Sequence, residues 1–217
     1  MSKIIKFIGV TIRFFFGKNS VNKIYFYKFL ISVFFITFKL RLSSPKYLFW
    51  SIRHVGMLYL LLNLKQFLIK NKYDFFLFDG ALLGSVRQGA IAGRGKDLDI
   101  AILIENKNQR KKLISLLKKN FIVKATGPDT CHIFLRNINL FADLIIFSNS
   151  RDGKKIFYFS KFYKKKIEYN KSYVFPLKLN NLYYQKCLVP NKSKKILKII
   201  YGRNFLIPNK KNQLYLR

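Results

Sequence analysis

The placement of the acidic residues is the sequence feature that most constrains how this chain can fold. None of the nine Asp and Glu residues lies in the first 73 positions, whereas four of them fall between Asp74 and Asp99. The same first 73 positions carry 13 Lys and Arg residues. This asymmetry divides the chain into a basic, apolar N-terminal part and a body that begins near Tyr73. Because Ser44 and Pro45 begin a helix that leads into the body, the predicted domains are a basic, apolar helical segment over residues 1–43 and a domain over residues 44–217.

The overall charge is strongly positive. The 42 Lys and Arg residues against 9 acids give a formal net charge of +33, which favours an anionic partner such as nucleic acid, a phospholipid surface or a phosphorylated substrate. Lys, Asn, Ile, Phe and Tyr are abundant together along the chain, and genomic base composition can produce that pattern without selection. The 23 Phe and 13 Tyr residues argue against a disordered basic tail. Two cysteines and two histidines exclude a disulfide scaffold and a histidine-rich metal site.

The N-terminal segment has the composition of helices that lie on a surface. Arg13 interrupts its first apolar run and no small-residue cleavage site follows, which argues against a secretory signal. The apolar run over 29–38 is ten residues long, whereas a membrane-spanning helix needs about 20. Residues 1–43 are therefore predicted to form one or two helices in the interface of an anionic membrane, or a helical hairpin packed on the rest of the protein. The first alternative makes the protein cytoplasmic and peripheral to the membrane.

Short strands and helices alternate after residue 44. Ser44 and Pro45 form a good helix start, and the helix is expected to run to about Lys72. The patterns then predict strands over 75–78, 97–104, 121–126, 131–135 and 139–147, and helices over 81–87 and 106–120. This alternation predicts an α/β (α+β) domain built around a mixed sheet.

Three aspartates in the predicted strands carry the strongest chemical signal. Asp97 and Asp99 are two residues apart on a strand, so both side chains face one side while Leu98 faces the other. Two ionised carboxylates this close require a compensating cation, and Mg²⁺ (or Mn²⁺) binds such oxygen ligands together with substrate phosphates. Asp143 lies alone in the apolar strand over 140–147, where an unpaired charge is costly. On a neighbouring strand it would complete the metal site or serve as a general base.

Phosphate-binding features precede the aspartates. Gly80 opens a short helix after a strand, where free backbone N–H groups suit a phosphate and glycine permits close approach. Arg87, near the end of that helix, has a planar guanidinium suited to phosphate oxygens. The order of strand, glycine turn, short helix, loop, Asp-x-Asp strand and later Asp resembles the layout of the polymerase-β-type nucleotidyltransferases.

Two motif blocks resemble a narrower family. The segment Leu77-Phe-Asp-Gly-Ala-Leu-Leu-Gly-Ser-Val-Arg-Gln88, followed by Lys96-Asp-Leu-Asp-Ile100, resembles the LicD/fukutin family of phosphotransferases. That family's signature is Gly-Thr/Ser-Leu-Leu-Gly-x-x-Arg and, after a fixed gap, Asp-x-Asp. Phe141-Ala-Asp143 is similar to its later hydrophobic-Asp-hydrophobic element, and Leu188 to Pro208 is similar to its closing Val-Pro…Tyr-Gly block. The likeness covers residues 55 to 208.

The resemblance implies transfer of a phospho-alcohol group, of the phosphocholine or ribitol phosphate type. The donor would be a CDP-alcohol, and the acceptor a sugar hydroxyl of a cell-surface glycan. The resemblance also implies two sets of residues: the catalytic and metal-binding Asp97, Asp99 and Asp143, and the substrate-binding Gly80, Gly84, Arg87 and Lys96.

The chain departs from the family pattern at three places, which leaves the substrate open. Ala81 replaces a hydroxyl residue, Asp79 stands where a small residue is usual, and Gly93-Arg94-Gly95 replaces a Pro-Trp-Asp block. No role is assigned to Cys131 and His132, although they adjoin the predicted site.

Two other functions stay open. Residues 154–166 interleave bases with aromatic residues, as single-strand nucleic-acid grooves do, or form a β-hairpin with a solvated basic face. The first interpretation corresponds to an RNA- or nucleotide-modifying nucleotidyltransferase. A non-catalytic, membrane-associated binding module derived from the same fold is the other alternative.

Overall fold

The structure is a computed structural model that describes residues 45–92, 97–135 and 140–207, with side chains from residue 54 onward. The predicted N-terminal segment over 1–43 and residues 93–96 lie outside the described residues. Within the described ranges, no helix is both long enough and apolar enough to cross a lipid bilayer.

The first described element is the long helix α1, Pro45–Lys70, which begins where the Ser-Pro pair predicts it. Met57, Leu61, Leu64 and Leu68 recur at helical spacing and are fully buried. They pack with the central strands in one hydrophobic core. The predicted helix from Pro45 to about Lys72 is therefore confirmed, and α1 forms one layer of the domain.

A mixed seven-stranded sheet is the centre of the fold, and it confirms the predicted α/β (α+β) class. Five strands lie in the order β1-β2-β5-β4-β3, while β6 pairs with β5 and β7 with β6. The β2 and β5 strands are parallel, and the other pairs are antiparallel. The strands are β1 Phe75–Leu77, β2 Asp97–Ile104, β3 Ile122–Ala125, β4 Thr130–Phe134, β5 Phe141–Asn149, β6 Lys155–Ser160 and β7 Lys165–Asn170.

Two helices flank these strands close to their predicted limits. The short helix α2, Asp79–Arg87, follows β1 directly. The α3 helix, Lys107–Asn120, begins after Asn106, whose side chain accepts a hydrogen bond from the Gln109 N–H. Its Leu113 and Leu117 are fully buried, so the helix presents its lysine-rich face to solvent. Together, α3, β3 and β4 form the connection between the parallel strands β2 and β5.

The C-terminal elements brace α2 from outside. They comprise α4 Lys171–Val174, the hairpin of β8 Lys178–Leu182 with β9 Gln185–Val189, and α5 Ser193–Tyr201. The Ser85 hydroxyl donates to the Asn181 carbonyl at 3.0 Å, which joins α2 to β8. Buried Tyr183 contacts His54 of α1 through its hydroxyl. The helix α5 lies within the Leu188 to Pro208 block.

Candidate active site

The parallel pairing of β2 with β5 brings the three predicted aspartates together. Asp99 lies directly opposite Asp143, and Asp97 lies opposite Phe141. Because paired residues in a parallel ladder face the same side, all three carboxylates share one face of the sheet. One carboxylate oxygen of each residue lies within 4.8 Å of the other two. The expected juxtaposition of Asp143 with the Asp-x-Asp pair is confirmed.

The opposite face of the same strands is apolar. Leu98, Ile100 and Leu144 are fully buried there, as the alternation predicts. Asp99 is itself only 6% exposed, so its carboxylate is removed from most solvent. The burial of a charged group at this position is costly unless another group stabilises it.

Gly80 provides one such stabilising group. Its backbone N–H donates to Asp99 Oδ2 at 2.9 Å. A Cβ atom at position 80 would also lie 2.9 Å from that oxygen, so any other residue would require the Asp99 carboxylate to shift. The N–H that was expected to be free for phosphate is therefore bonded to Asp99, because α2 begins directly beside β2. Substrate binding by Gly80 stays a prediction.

Asp79 adds a fourth carboxylate beside these three. It begins α2 with φ = 37°, in the left-handed region that Asp tolerates better than most residues. Burial, together with the charges of Asp143 and Asp97, raises its pKa to about 7. The extra carboxylate that Asp79 adds at this turn therefore interacts electrostatically with Asp97 and Asp143.

The carboxylates perturb one another strongly. Burial raises the pKa of Asp99 well above its usual range, and the charges of Asp79, Asp97 and Asp143 add to the effect. Burial and the charge of Asp97 raise the pKa of Asp143 to about 7. Clustered groups with raised pKa values are typical of functional sites, because they lie ready to bind a cation or accept a proton.

His132 also belongs to this cluster, although the sequence assigned it no role. It lies on β4 opposite Asp143, and its Nε2 is 2.8 Å from Asp143 Oδ1. Its ring stacks on Phe141 with centroids 4.3 Å apart. Burial lowers the pKa of His132, which favours the neutral imidazole. The alternation along β4 could have indicated that His132 faces the site. Cys131 and Ile133 are buried on one side of the strand, and His132 lies on the other side.

The other three predicted substrate-binding residues are Gly84, Arg87 and Lys96, and the structure describes the first two. Gly84 faces the chain over 90–92, where a Cβ would come 2.1 Å from the Ala90 carbonyl oxygen, so its visible role is close packing. Arg87 donates through Nε and Nη2 to the Gln88 side chain, and burial lowers its pKa. Lys96 lies outside the described residues. Substrate contacts by these three residues stay predictions.

The donor set of the carboxylate cluster fits a hard divalent cation. All three groups offer oxygen, and Mg²⁺ and Mn²⁺ prefer carboxylate oxygens. A bound cation would offset the mutual repulsion that raises the pKa values of Asp99 and Asp143. Asp97, Asp99 and Asp143 are the residues that would hold it.

A separate basic groove of about 830 Å³ lies beyond the other end of α2. It runs between the β8–β9 hairpin and α5, and Val86 of α2 forms part of its wall. Five lysines line it: Lys178, Lys192, Lys194, Lys195 and Lys198. The carboxylates are not among its lining residues, so this groove is distinct from the candidate active site.

Comparison with known proteins identifies the family. The sequence model described as LicD/FKTN/FKRP, nucleotidyltransferase domain, matches residues 72–192, which is more than half of the chain. A search of curated proteins found no significant match. Among solved structures, the chain is similar to the lincomycin-bound lincosamide antibiotic adenylyltransferase LnuA, with 14% identity and a TM-score of 0.44. That alignment covers 63% of this chain and 82% of the other. From the family match, which includes the three aspartates and α2, the chain belongs to the LicD/FKTN/FKRP family.

Proposed function

We propose that this protein is a metal-dependent phosphotransferase that moves a phospho-alcohol group from a CDP-alcohol to a sugar hydroxyl of a cell-surface glycan. Membership of the LicD/FKTN/FKRP family supports the coarser statement that it is a transferase of phospho groups. The convergence of Asp97, Asp99 and Asp143 within 4.8 Å carries the finer proposal. Phosphoryl chemistry needs positive charge at the reacting phosphate, and this cluster is suited to holding it.

Asp97, Asp99 and Asp143 would hold the cation, and neighbouring groups of the protein orient two of these carboxylates. A bound Mg²⁺ or Mn²⁺ supplies positive charge that stabilises the negative charge developing on the transferred phosphate and on the leaving CMP. The Gly80 N–H fixes Asp99 through Oδ2, and His132 contacts Asp143 through Oδ1. Each of these contacts orients one carboxylate of the cluster that would hold the ion.

The transfer requires a base as well as a cation. The acceptor hydroxyl oxygen forms a bond to the phosphorus that carries the alcohol, and the bond from that phosphorus to the CMP oxygen breaks. CMP leaves with the electron pair, and the hydroxyl proton must pass to a nearby group. Asp143 is a candidate to take it where its carboxylate does not hold the ion, and Asp79, which lies beside the three aspartates, is a second candidate.

The proposal extends to the N-terminal segment. Residues 1–43 would hold the enzyme on the cytoplasmic face of an anionic membrane, where lipid-linked or membrane-proximal glycans are accessible. The basic and aromatic composition of this segment supports the extension.

Thermal unfolding of the full chain tests the proposed site. Mg²⁺ or Mn²⁺ is expected to raise the melting temperature further when CDP-choline, CDP-ribitol or CDP-glycerol is present, because Asp97, Asp99 and Asp143 would hold the cation that the donor phosphates require. Asp97→Asn should remove this response. Glu105→Gln, which neutralises an exposed acid after β2, should retain it and serves as the control. The absence of any metal-dependent response to cytidine nucleotides would contradict the proposal.

A further inference from the structure

The hairpin formed by β6 and β7 ends in a basic, aromatic turn. Phe162 in this turn is 80% exposed, and its ring lies edge-on to Tyr163 with centroids 4.9 Å apart. Lysines occupy positions 161 and 164 beside it and continue at positions 165 and 166. We call residues 161–164 the hairpin tip. Exposed aromatic rings among lysines are typical of surfaces that stack a base and attract its phosphates.

The pairing of β6 with β5 gives the direction of the hairpin. The β6 strand is antiparallel to β5, with Phe157 opposite Ser148. From this pair, β6 continues to Ser160 while β5 leads back toward Asp143. The hairpin tip that follows Ser160 therefore extends in the direction of the end of the sheet that carries Asp143.

Aromatic contacts place the hairpin on the same face as the carboxylates. Asp143 and Phe147 are four residues apart on β5, so their side chains share one face. The ring of Phe147 contacts Tyr158 of β6 at 5.1 Å and Tyr169 of β7 at 6.0 Å. Tyr169 also contacts Phe78, the residue before Asp79, at 5.6 Å. The hairpin therefore covers the part of the carboxylate face around Phe147, and its tip extends from there.

Electrostatics agree with this placement. Burial raises the pKa of Tyr163, and the charge of Asp79 raises it further. Burial likewise raises the pKa of Tyr169, and the same charge adds to the effect. Both effects agree with a hairpin that packs on the face of the sheet that carries the aspartates.

We propose that the hairpin tip is the wall of the donor site, where Phe162 stacks on the nucleotide base and the neighbouring lysines attract the donor phosphates. This inference rests on the proposed phosphotransferase function and names the part of the protein that recognises its nucleotide. A single base fits the tip better than a nucleic-acid strand does. Tyr158 and Tyr169 are buried in the core, and Phe157 lies 3.9 Å below the Lys166 ammonium, so three of the hairpin's six rings are already covered, whereas Phe159 and Phe162 are exposed.

Binding of CDP and of inorganic pyrophosphate to the full chain, each with Mg²⁺, tests the proposal by calorimetry. Phe162→Ala should weaken CDP binding roughly 5- to 150-fold, the range expected for loss of one base–aromatic stack. It should leave pyrophosphate binding unchanged, because pyrophosphate has no base. Phe162→Trp should restore CDP affinity. Leu179→Ala is the matched control, since Leu179 is an apolar side chain 65% exposed on β8.

The outcomes separate this inference from the function on which it rests. Equal CDP affinity in the wild type and Phe162→Ala would overturn the donor wall while leaving the phosphotransferase intact. Failure of the wild type to bind either CDP or pyrophosphate with Mg²⁺ would instead overturn the proposed function. A Phe162→Ala variant that loses affinity for a single-stranded oligocytidylate but not for CDP would assign the tip to nucleic acid and refute the inference. Since Phe162 is exposed, an unchanged melting temperature should accompany each substitution.

Discussion

Replacement of Asp143 by asparagine should make the metal-free protein more stable at pH 8. The pKa of Asp143 is about 7 instead of 3.8. A carboxyl group with a raised folded-state pKa contributes stability that is complete below pH 3.8 and is lost as the pH rises through 7. At pH 8 the ionised group therefore destabilises the metal-free fold, whereas the neutral amide that replaces it in the variant would not.

The size of this effect follows from the same shift. Each pKa unit corresponds to about 1.36 kcal/mol, so the full shift amounts to about 4 kcal/mol. The Asp143 side chain is 32% exposed, and solvent screening reduces the effect. We expect about 2 kcal/mol, which is a gain of about 4–8 °C in melting temperature for a domain of this size.

Thermal unfolding from pH 5 to pH 8, with and without Mg²⁺, measures the prediction. Without metal, the wild type should lose stability as the pH rises, and Asp143→Asn should lose less. With Mg²⁺ at about 100 times its dissociation constant, the wild type should gain about 2.7 kcal/mol, and the variant should gain little. Asp74→Asn makes the same chemical change at an exposed acid and should behave as the wild type does. A variant that is less stable than the wild type at pH 8 without metal, yet retains the full Mg²⁺ response, would refute the reasoning.

Three further changes have distinct expected results. Gly80→Ala should weaken Mg²⁺ binding at least about tenfold, because the added Cβ lies 2.9 Å from Asp99 Oδ2 and displaces it; an unchanged metal titration would contradict this. Gly84→Ala should lower the free energy of unfolding by about 1–3 kcal/mol, because its Cβ meets the Ala90 carbonyl oxygen, and the urea midpoint measures the loss. The full chain should sediment with phosphatidylglycerol vesicles while a chain lacking residues 1–43 stays in the supernatant, and identical behaviour of the two would exclude the interfacial helices.

Much of the carboxylate site could be predicted because it depends on local patterns. The alternation of β2 places Asp97 and Asp99 on one face, and the isolation of Asp143 in an apolar strand marks it as unusual. The parallel pairing that aligns Asp99 with Asp143 is a long-range feature. The sequence indicates what Asp143 would do on a neighbouring strand, but it does not predict the direction or the register of that pairing.

The features that the sequence did not predict depend on contacts between distant segments. His132 reaches Asp143 only because β4 pairs with β5 in one particular register. The bond from the Gly80 N–H to Asp99 depends on how closely α2 begins beside β2. The position of Gly84 against residues 90–92 is likewise a packing contact between segments that local propensity does not specify.

The basic hairpin of β6 and β7 is a further feature whose place in the fold the sequence did not predict. The alternation of bases and aromatic residues predicted either a nucleic-acid groove or a solvated hairpin, and the structure has a hairpin. Its position over the carboxylate face follows from the contacts of Tyr158 and Tyr169 with Phe147. Composition alone does not predict these contacts, which place the hairpin on the same face of the sheet as the carboxylates.

Release of CMP from defined donors tests the central claim most directly. The full chain is incubated with CDP-choline, CDP-ribitol or CDP-glycerol, a glycan acceptor, and Mg²⁺ or Mn²⁺. The account predicts metal-dependent CMP release from at least one donor, with loss of that release in Asp97→Asn and its retention in Glu105→Gln. Absence of release from every donor with either metal, or release that persists in Asp97→Asn, would contradict it.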